Sequence, residues 1–402
     1  MANGNNEDVQ TNEDVQVETA GNYLAGKRIA LCVSGGIAAI ETPKIARMLR
    51  RYGADVKAYV TGEAGKFIGI AALEWGTGKE VVSTLTGRAE HICQEDLVLV
   101  APATLNTIDK IFAGIADNPV TTLTASALGK KVPVYLAPTM HETLYRNPFL
   151  SANLLKAGEY GMHIIPPRIS EGKAKMPRLE TIVAKVAREL SSDPIKGKRI
   201  LVTGGPTPVK IDNVRRITNR FRGSMGIAIS NELYLRGADV KLLTAKCGNQ
   251  PPEYIDKALH DDYEEYRSNV FTELAKGYDA GIFSAAVADY MPTSTYPGKI
   301  KSDGELKSIP LTTTRKVISD VREKYPELFM VTFKYEEGIT KEELLQIASK
   351  RSRLYQLVVA NRDIDMRDEH QAYIIDNTGE IANPKTRKDI ARTLVDLLGA
   401  RL

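Results

Sequence analysis

Apolar positions along the chain follow two alternating rhythms. Short, mostly apolar runs occur at Leu97–Val100, Val132–Ala137, Ala280–Ser284, Leu328–Phe333 and Gln356–Ala360. Between them apolar residues recur at helical spacing, as in Ala38–Arg51, Leu179–Leu190 and Lys341–Ser352. Such runs suit strands buried on both faces, and the longer stretches suit amphipathic helices. The opening pattern occurs twice. Gly26-Lys-Arg-Ile29 leads through an apolar run to Ser34-Gly35-Gly36, and Gly197-Lys-Arg-Ile200 leads to Thr203-Gly204-Gly205. A helical segment follows each turn. Gly-Ala-Asp-Val-Lys then opens a second strand, ending at Thr61 in the first copy and Thr244 in the second. Each half therefore begins as a βαβ unit. The pattern predicts an α/β protein of two three-layer α/β/α, Rossmann-like domains with parallel sheets, over residues 25–190 and 197–402. Residues 191–196, containing Ser-Ser-Asp-Pro, read as the linker. Residues 1–24 are polar, repeat Asn-Glu-Asp-Val-Gln and carry only acidic charge, so they read as a disordered acidic tail.

Composition narrows the class. The 402 residues are 43% hydrophobic and 26% charged, ordinary for a soluble globular chain. No apolar run approaches the ~18 residues of a membrane span, and no basic-then-apolar leader opens the chain, so a cytoplasmic protein is expected. The cysteines Cys32, Cys93 and Cys247 are too scattered for a disulfide framework or structural zinc. A net charge of +4 suits phosphate-bearing ligands but is too small and too evenly spread to predict nucleic-acid binding.

Glycine after a first strand lets backbone amides approach phosphate at a helix N-terminus. Neither turn is G-x-G-x-x-G, and neither second strand ends in the acid that would hold a ribose, so a nicotinamide dehydrogenase is disfavoured. In the first half, Asp96–Thr107 reads as a buried strand that stops near Pro102 and offers Thr104, Asn106 and Thr107 to the sheet's carboxyl edge. Asp117 and Asn118 stand one helix later, and Ala137–Glu142 brings Met140 and His141 to a third edge. That edge is where α/β proteins bind ligands.

These motifs resemble the flavin-dependent cysteine decarboxylases over roughly residues 27–185. Family landmarks stand here as Ser34–Ala39, His91-Ile92, Ala101–Thr107 and Ala116–Asn118. The resemblance implies FMN, held by Ser34, Gly35, Gly36, Ile37, Ala38, Thr61, Thr104, Asn106, Thr107, Asp117, Asn118 and Met140, with His91 as catalytic base. Two departures stand out. The family's Pro-Ala-Met-Asn is Pro138-Thr-Met-His141, and the bacterial flap cysteine is absent. The segment Pro166–Met176, with Glu171-Gly-Lys173-Ala-Lys175, takes its place and looks like archaeal members. The final proton donor stays open among Lys175, Lys173, His141 and Glu171.

The second half carries Ile211–Gly226, with Arg215, Asn219 and Arg220, then Ala285–Tyr290 with Ala286 and Asp289, then Lys299-Ile-Lys301, then Val359–Asn361. A charge run is ordinarily a solvated face. Here the arginines sit between glycine turns and lead into a helix, which suits phosphate. These motifs are similar to the phosphopantothenate–cysteine ligases over roughly residues 197–400. The order of the halves resembles the bifunctional coenzyme A biosynthesis family of prokaryotes.

What the resemblance implies is specific. CTP activates 4′-phosphopantothenate as an acyl-cytidylate, which cysteine then attacks. Gly204, Gly205, Asp289, Lys299, Lys301 and Phe333 would hold nucleotide, with Lys299 neutralising the triphosphate. Arg215, Asn219, Arg220, Ala285 and Ala286 would hold substrate, with Asn219 acting in the second half-reaction. Mg²⁺ would accompany the phosphates. The first half would then decarboxylate 4′-phosphopantothenoylcysteine, oxidation of the thiol providing the electron sink, to give 4′-phosphopantetheine. Family decarboxylases place FMN between protomers of a trimer and the ligase half pairs, so a homo-oligomer of trimers joined by dimers is expected. The alternatives are a prenyltransferase on the same fold, or a non-catalytic regulatory flavoprotein.

Overall fold

The computed structural model describes residues 15–301, 308–366 and 370–402. The chain divides into two compact units, Met1–Ser191 and Ser192–Leu402.

The first unit is built on a five-stranded sheet in the order Asp55–Val60, Arg28–Val33, Leu97–Ala103, Val134–Pro138, Met162–Ile164, with every pair parallel. All seven residues of Leu97–Ala103 are buried, as expected of a central strand covered on both faces. Ala30, Cys32, Val98 and Val100 pack with Ile108, Val120 and Leu123 of the helices Leu105–Phe112 and Pro119–Gly129. The chain reverses direction across the sheet between Arg28–Val33 and Leu97–Ala103, so their carboxyl ends form the crevice in which such sheets bind ligands. Ala38–Arg51, expected as one helix, is a 3₁₀ turn, Ile37–Glu41, followed by an α-helix, Thr42–Arg51, with Pro43 in its first turn. Part of the segment read as a tail, residues 15–24, packs on the first unit. Leu24 is fully buried, Ala20 N–H donates to Arg51 O at 2.8 Å, and Arg50 and Arg47 donate to the carbonyls of Val15 and Gln16 at 2.9 and 3.2 Å. Most of these contacts use the backbone, which side-chain polarity does not reveal, and Glu18 adds an ion pair with Arg51 at 3.2 Å. Residues 1–14 lie outside the described residues.

The second unit holds an eight-stranded sheet in the order Asp256–His260, Asp239–Ala245, Arg199–Gly204, Ala280–Phe283, Phe329–Glu336, Leu357–Arg362, Tyr373–Asp376, Gly379–Ala382. The first six strands pair in parallel, as expected. An antiparallel margin is added: Tyr373–Asp376 runs antiparallel to Leu357–Arg362, and a two-residue turn joins it to Gly379–Ala382 as a hairpin. Alternate residues of the first strand serve opposite faces: Ile200 and Val202 pack with Leu394 and Leu398, Leu201 with Tyr266 and Val270. The result is three layers. The segment read as a linker is partly built into this unit, since Ile195 is fully buried in its core. Extra residues after Gly205 form short side sheets: Pro206–Thr207 pairs with Ala286–Val287, and Val209–Lys210 with Arg216–Ile217. No described helix is long and apolar enough to cross a membrane.

Candidate functional sites

In the first unit the loops at the sheet's carboxyl edge enclose a pocket of about 970 Å³. Gly35, Gly36, Ile37, Ala38, Thr61, Thr104, Asn106, Asp117, Asn118 and Met140 line it. Ser34 and Thr107 stand behind. The Ser34 hydroxyl donates to Pro102 O at 2.7 Å and accepts from Thr104 N–H at 3.0 Å, while Thr107 Oγ1 lies 3.2 Å from Thr104 Oγ1. They fix Thr104 at the mouth between the two central strands. Asn118 caps the helix Pro119–Gly129, accepting from Val120 and Thr121 N–H at 3.1 and 3.2 Å. Lys110 holds Asp117 at 2.5 Å, and this hydrogen bond depresses the pKa of the exposed carboxyl.

The segment read as a flap is a hairpin, Arg168–Ser170 with Lys173–Lys175, joined by Met140–His141 as a third strand. Its turn uses Glu171 at φ +52° and Gly172 at +65°. Register sets His141 opposite Lys173, so both reach the pocket together with Lys175. Glu171 does not line it; it binds Lys175 at 2.6 Å, and that bond lowers its pKa. His91 is not brought to the pocket. It is exposed in the irregular segment before Leu97–Ala103, while neighbouring Cys93 packs into the core.

The second unit has its own pocket, about 870 Å³. Gly205, Asn219, Arg220, Ala285, Ala286, Asp289 and Phe333 line it, drawn from distant parts of the sequence. The glycines permit close packing. Gly223 has φ +89°, and a Cβ there would lie 2.7 Å from Gly205 N, so only glycine lets the helix Ser224–Leu235 begin against the turn. Gly204 lies just behind, with Gly226 Cα 3.3 Å from where its Cβ would stand. Asn219 Nδ2 donates to Ala286 O at 2.8 Å, and Ala286 N–H to Gly205 O at 2.9 Å, so three motifs are tied together. Arg220 donates to Tyr335 Oη at 2.9 Å. Asp289 is paired with Lys316.

Three residues stand elsewhere than anticipated. Arg215 does not line the pocket; its guanidinium binds buried Asp212 at 2.6 Å and Ile300 O at 3.1 Å. Lys299 and Lys301 are exposed outside it; Ser302–Gly304, which follow them, lie outside the described residues. Sequence reasoning missed Lys316, Arg351, His370 and Arg387 as site residues, yet all four line the pocket. Burial, then the charge of Arg387, lowers the pKa of His370. No motif marks these side chains; strand order alone brings them together.

The flavoprotein family matches residues 18–191, and the family described as DNA/pantothenate metabolism flavoprotein C-terminal domain matches residues 195–401. The coenzyme A biosynthesis bifunctional protein CoaBC of Thermococcus kodakarensis is 41% identical over 354 residues, covering 85% of this chain and 87% of the relative. That of Methanocaldococcus jannaschii is 35% identical over 388 residues, 94% of each. Among solved structures, the DNA/pantothenate metabolism flavoprotein from Streptococcus pneumoniae aligns at TM-score 0.47 and 26% identity, over 51% of this chain and 100% of that one. The chain belongs to the bifunctional coenzyme A biosynthesis family, with the flavoprotein domain first and the pantothenate-metabolism domain second.

Proposed function

We propose a specific route for the two activities that this family carries, phosphopantothenate–cysteine ligase and phosphopantothenoylcysteine decarboxylase. The second unit uses CTP to turn the carboxylate of 4′-phosphopantothenate into an acyl-cytidylate, releasing pyrophosphate. The amine of cysteine then displaces CMP. A carboxylate is a poor electrophile, and nucleotidyl transfer gives it a good leaving group. The observation that carries this reading is the convergence of Asn219, Ala285, Ala286, Asp289 and Phe333 on one pocket beside the Gly205 turn. Backbone amides there and at the start of Ser224–Leu235 suit phosphate. Asn219, fixed by Ala286 O, orients the acyl group for the second half-reaction. Lys299 and Lys301 offset triphosphate charge as pyrophosphate leaves. Mg²⁺ accompanies the nucleotide as counterion to its phosphates; among the described residues no group of three or more His, Cys, Asp or Glu could hold a metal ion.

The first unit's residues fit FMN. Thr61 Oγ1 is buried without a partner beside the pocket, and a Cβ on Gly35 would lie 2.5 Å from Glu63 Cβ, so this edge is shaped by glycine. FMN, when bound, supplies a reversible two-electron sink for the thiol-bearing carbon of the substrate. Thr61, Thr104, Asn106 and Met140 hold the cofactor. Lys175 or Lys173, then His141, return the proton that completes 4′-phosphopantetheine. His91 serves the pocket of a neighbouring copy. In support, it is exposed, and so are the apolar Ile92 beside it and Ile37, 71% exposed, at the pocket rim. The assembly is a homo-oligomer, trimeric through the first unit and dimeric through the second, working in the cytosol. Mass spectrometry of products with CTP or ATP supplied separately, alongside cysteine and 4′-phosphopantothenate, tests the route. CMP and pyrophosphate support it; CDP and phosphate, or turnover with ATP alone, contradict it.

A further inference from the structure

Asp212 is 1% exposed, yet it carries a dense set of bonds. Oδ1 accepts Val214 N–H at 2.7 Å and Arg215 N–H at 2.6 Å. Oδ2 accepts Arg215 Nη1 at 2.6 Å and Ile300 N–H at 3.0 Å. The same guanidinium nitrogen donates to Ile300 O at 3.1 Å, and Asn213 N–H donates to Gly298 O at 2.9 Å. Gly298, at φ +81°, turns the chain into this clasp. The bonds bracket one residue. Gly298 O belongs to the peptide group before the Lys299 Cα, and Ile300 N–H to the peptide group after it. Both are held by Asp212–Arg215, although these residues are far away in sequence.

A buried carboxylate is costly unless its oxygens are satisfied. Here the satisfying donors include a loop amide that nothing in the core requires. We propose that Asp212 is a positioning residue for the Lys299–Lys301 loop, setting the backbone from which Lys299 reaches the triphosphate. Arg215 is the clasp's second jaw rather than a substrate ligand. The functional half of this inference rests on the ligase reading above; the clasp itself does not.

Two arms on the full-length chain test it. In limited trypsinolysis, Asp212→Asn should raise cleavage after Lys299 and Lys301 at least tenfold over wild type, because the loop is no longer held. Unchanged cleavage overturns the clasp. In pyrophosphate release with CTP and 4′-phosphopantothenate, Asp212→Asn should lower kcat at least tenfold with KM for CTP nearly unchanged, while decarboxylation of supplied 4′-phosphopantothenoylcysteine persists. The double variant with Lys299→Ala should be no slower than Lys299→Ala alone, since both act through one side chain; additive losses would mean a merely structural role. If Asp212→Asn fails to fold, Arg215→Met, which leaves the carboxylate and its amide bonds, should loosen the loop in the same direction. A wild type that releases phosphate instead of pyrophosphate refutes the ligase route, while the proteolysis arm still decides the clasp.

Discussion

Thr61 carries opposite consequences for stability and for binding. Its hydroxyl is buried and unpaired, a state that costs about 1–3 kcal/mol unless a ligand satisfies it. Thr61→Val should therefore fold at least as stably as wild type yet bind FMN roughly tenfold more weakly, a loss of about 1.4 kcal/mol. Flavin fluorescence titration and a thermal melt of the apoprotein read the two effects; equal affinity would remove Thr61 from the site. Lys299→Ala should lower pyrophosphate release roughly a hundredfold or more, the usual scale for losing one group that stabilises developing charge. Normal ligation by that variant would leave the loop as surface charge. His260 supplies a pH effect. Its ring is fully buried with Nε2 3.1 Å from Pro206 O, and burial, opposed by that bond and by Glu265, Asp262 and Asp261, lowers its pKa below 6.5. The unfolded chain then binds the proton first, so this contribution to stability is intact above pH 6.5 and is lost as pH falls below it. His260→Gln should lose less of its melting temperature than wild type between pH 7.5 and 5.5; parallel losses would assign the drop to other groups. Residue by residue, the sequence was most readable where a polar group directly follows a buried strand, as at Thr104 after Leu97–Ala103. It misled at Arg215, whose partner lies only three positions upstream, because a motif marks a charge without marking what neutralises it.

At the scale of elements, helices and central strands were legible because burial imposes a period, and Lys341–Ser352 and Leu179–Leu190 form over the expected residues. The flap was not. Its strands have three residues or fewer, and the exposed–buried alternation of Lys173-Ala174-Lys175 is too brief to signal a hairpin. The hairpin predicts a division of labour. A donor-deficient variant should still release CO₂ but stall before 4′-phosphopantetheine, with Lys175→Met or Lys173→Met more affected than His141→Asn. Full conversion by each of these and by Glu171→Gln would leave the flap only to close the pocket. The helix Pro119–Gly129 gives a simpler case. Asn118 satisfies two of its first amides, so Asn118→Ala should cost about 1 kcal/mol in denaturant unfolding of the first unit, besides any effect on FMN.

For the whole molecule, the repeated strand–glycine–helix opening announced two α/β halves, and each half proves to have its own sheet, core and pocket. What the repeat could not convey is how the halves differ. The second sheet gains an antiparallel margin after Leu357–Arg362, and residues near that margin, Met366, His370 and Ala372, line its pocket. Since the core of Ser192–Leu402 is complete within that unit, a chain beginning at residue 192 should retain ligase turnover within a few-fold of full length. Loss of folding on truncation would show that the units stabilise one another. The account's central claim is that one chain performs both steps in order through an acyl-cytidylate. The most direct measurement is a single reaction containing full-length protein, FMN, CTP, cysteine and 4′-phosphopantothenate labelled with ¹⁸O in its carboxylate, read by mass spectrometry. The account predicts 4′-phosphopantetheine with equal CMP, pyrophosphate and CO₂, and one ¹⁸O carried into CMP; label in inorganic phosphate, with CDP as the nucleotide product, would contradict it.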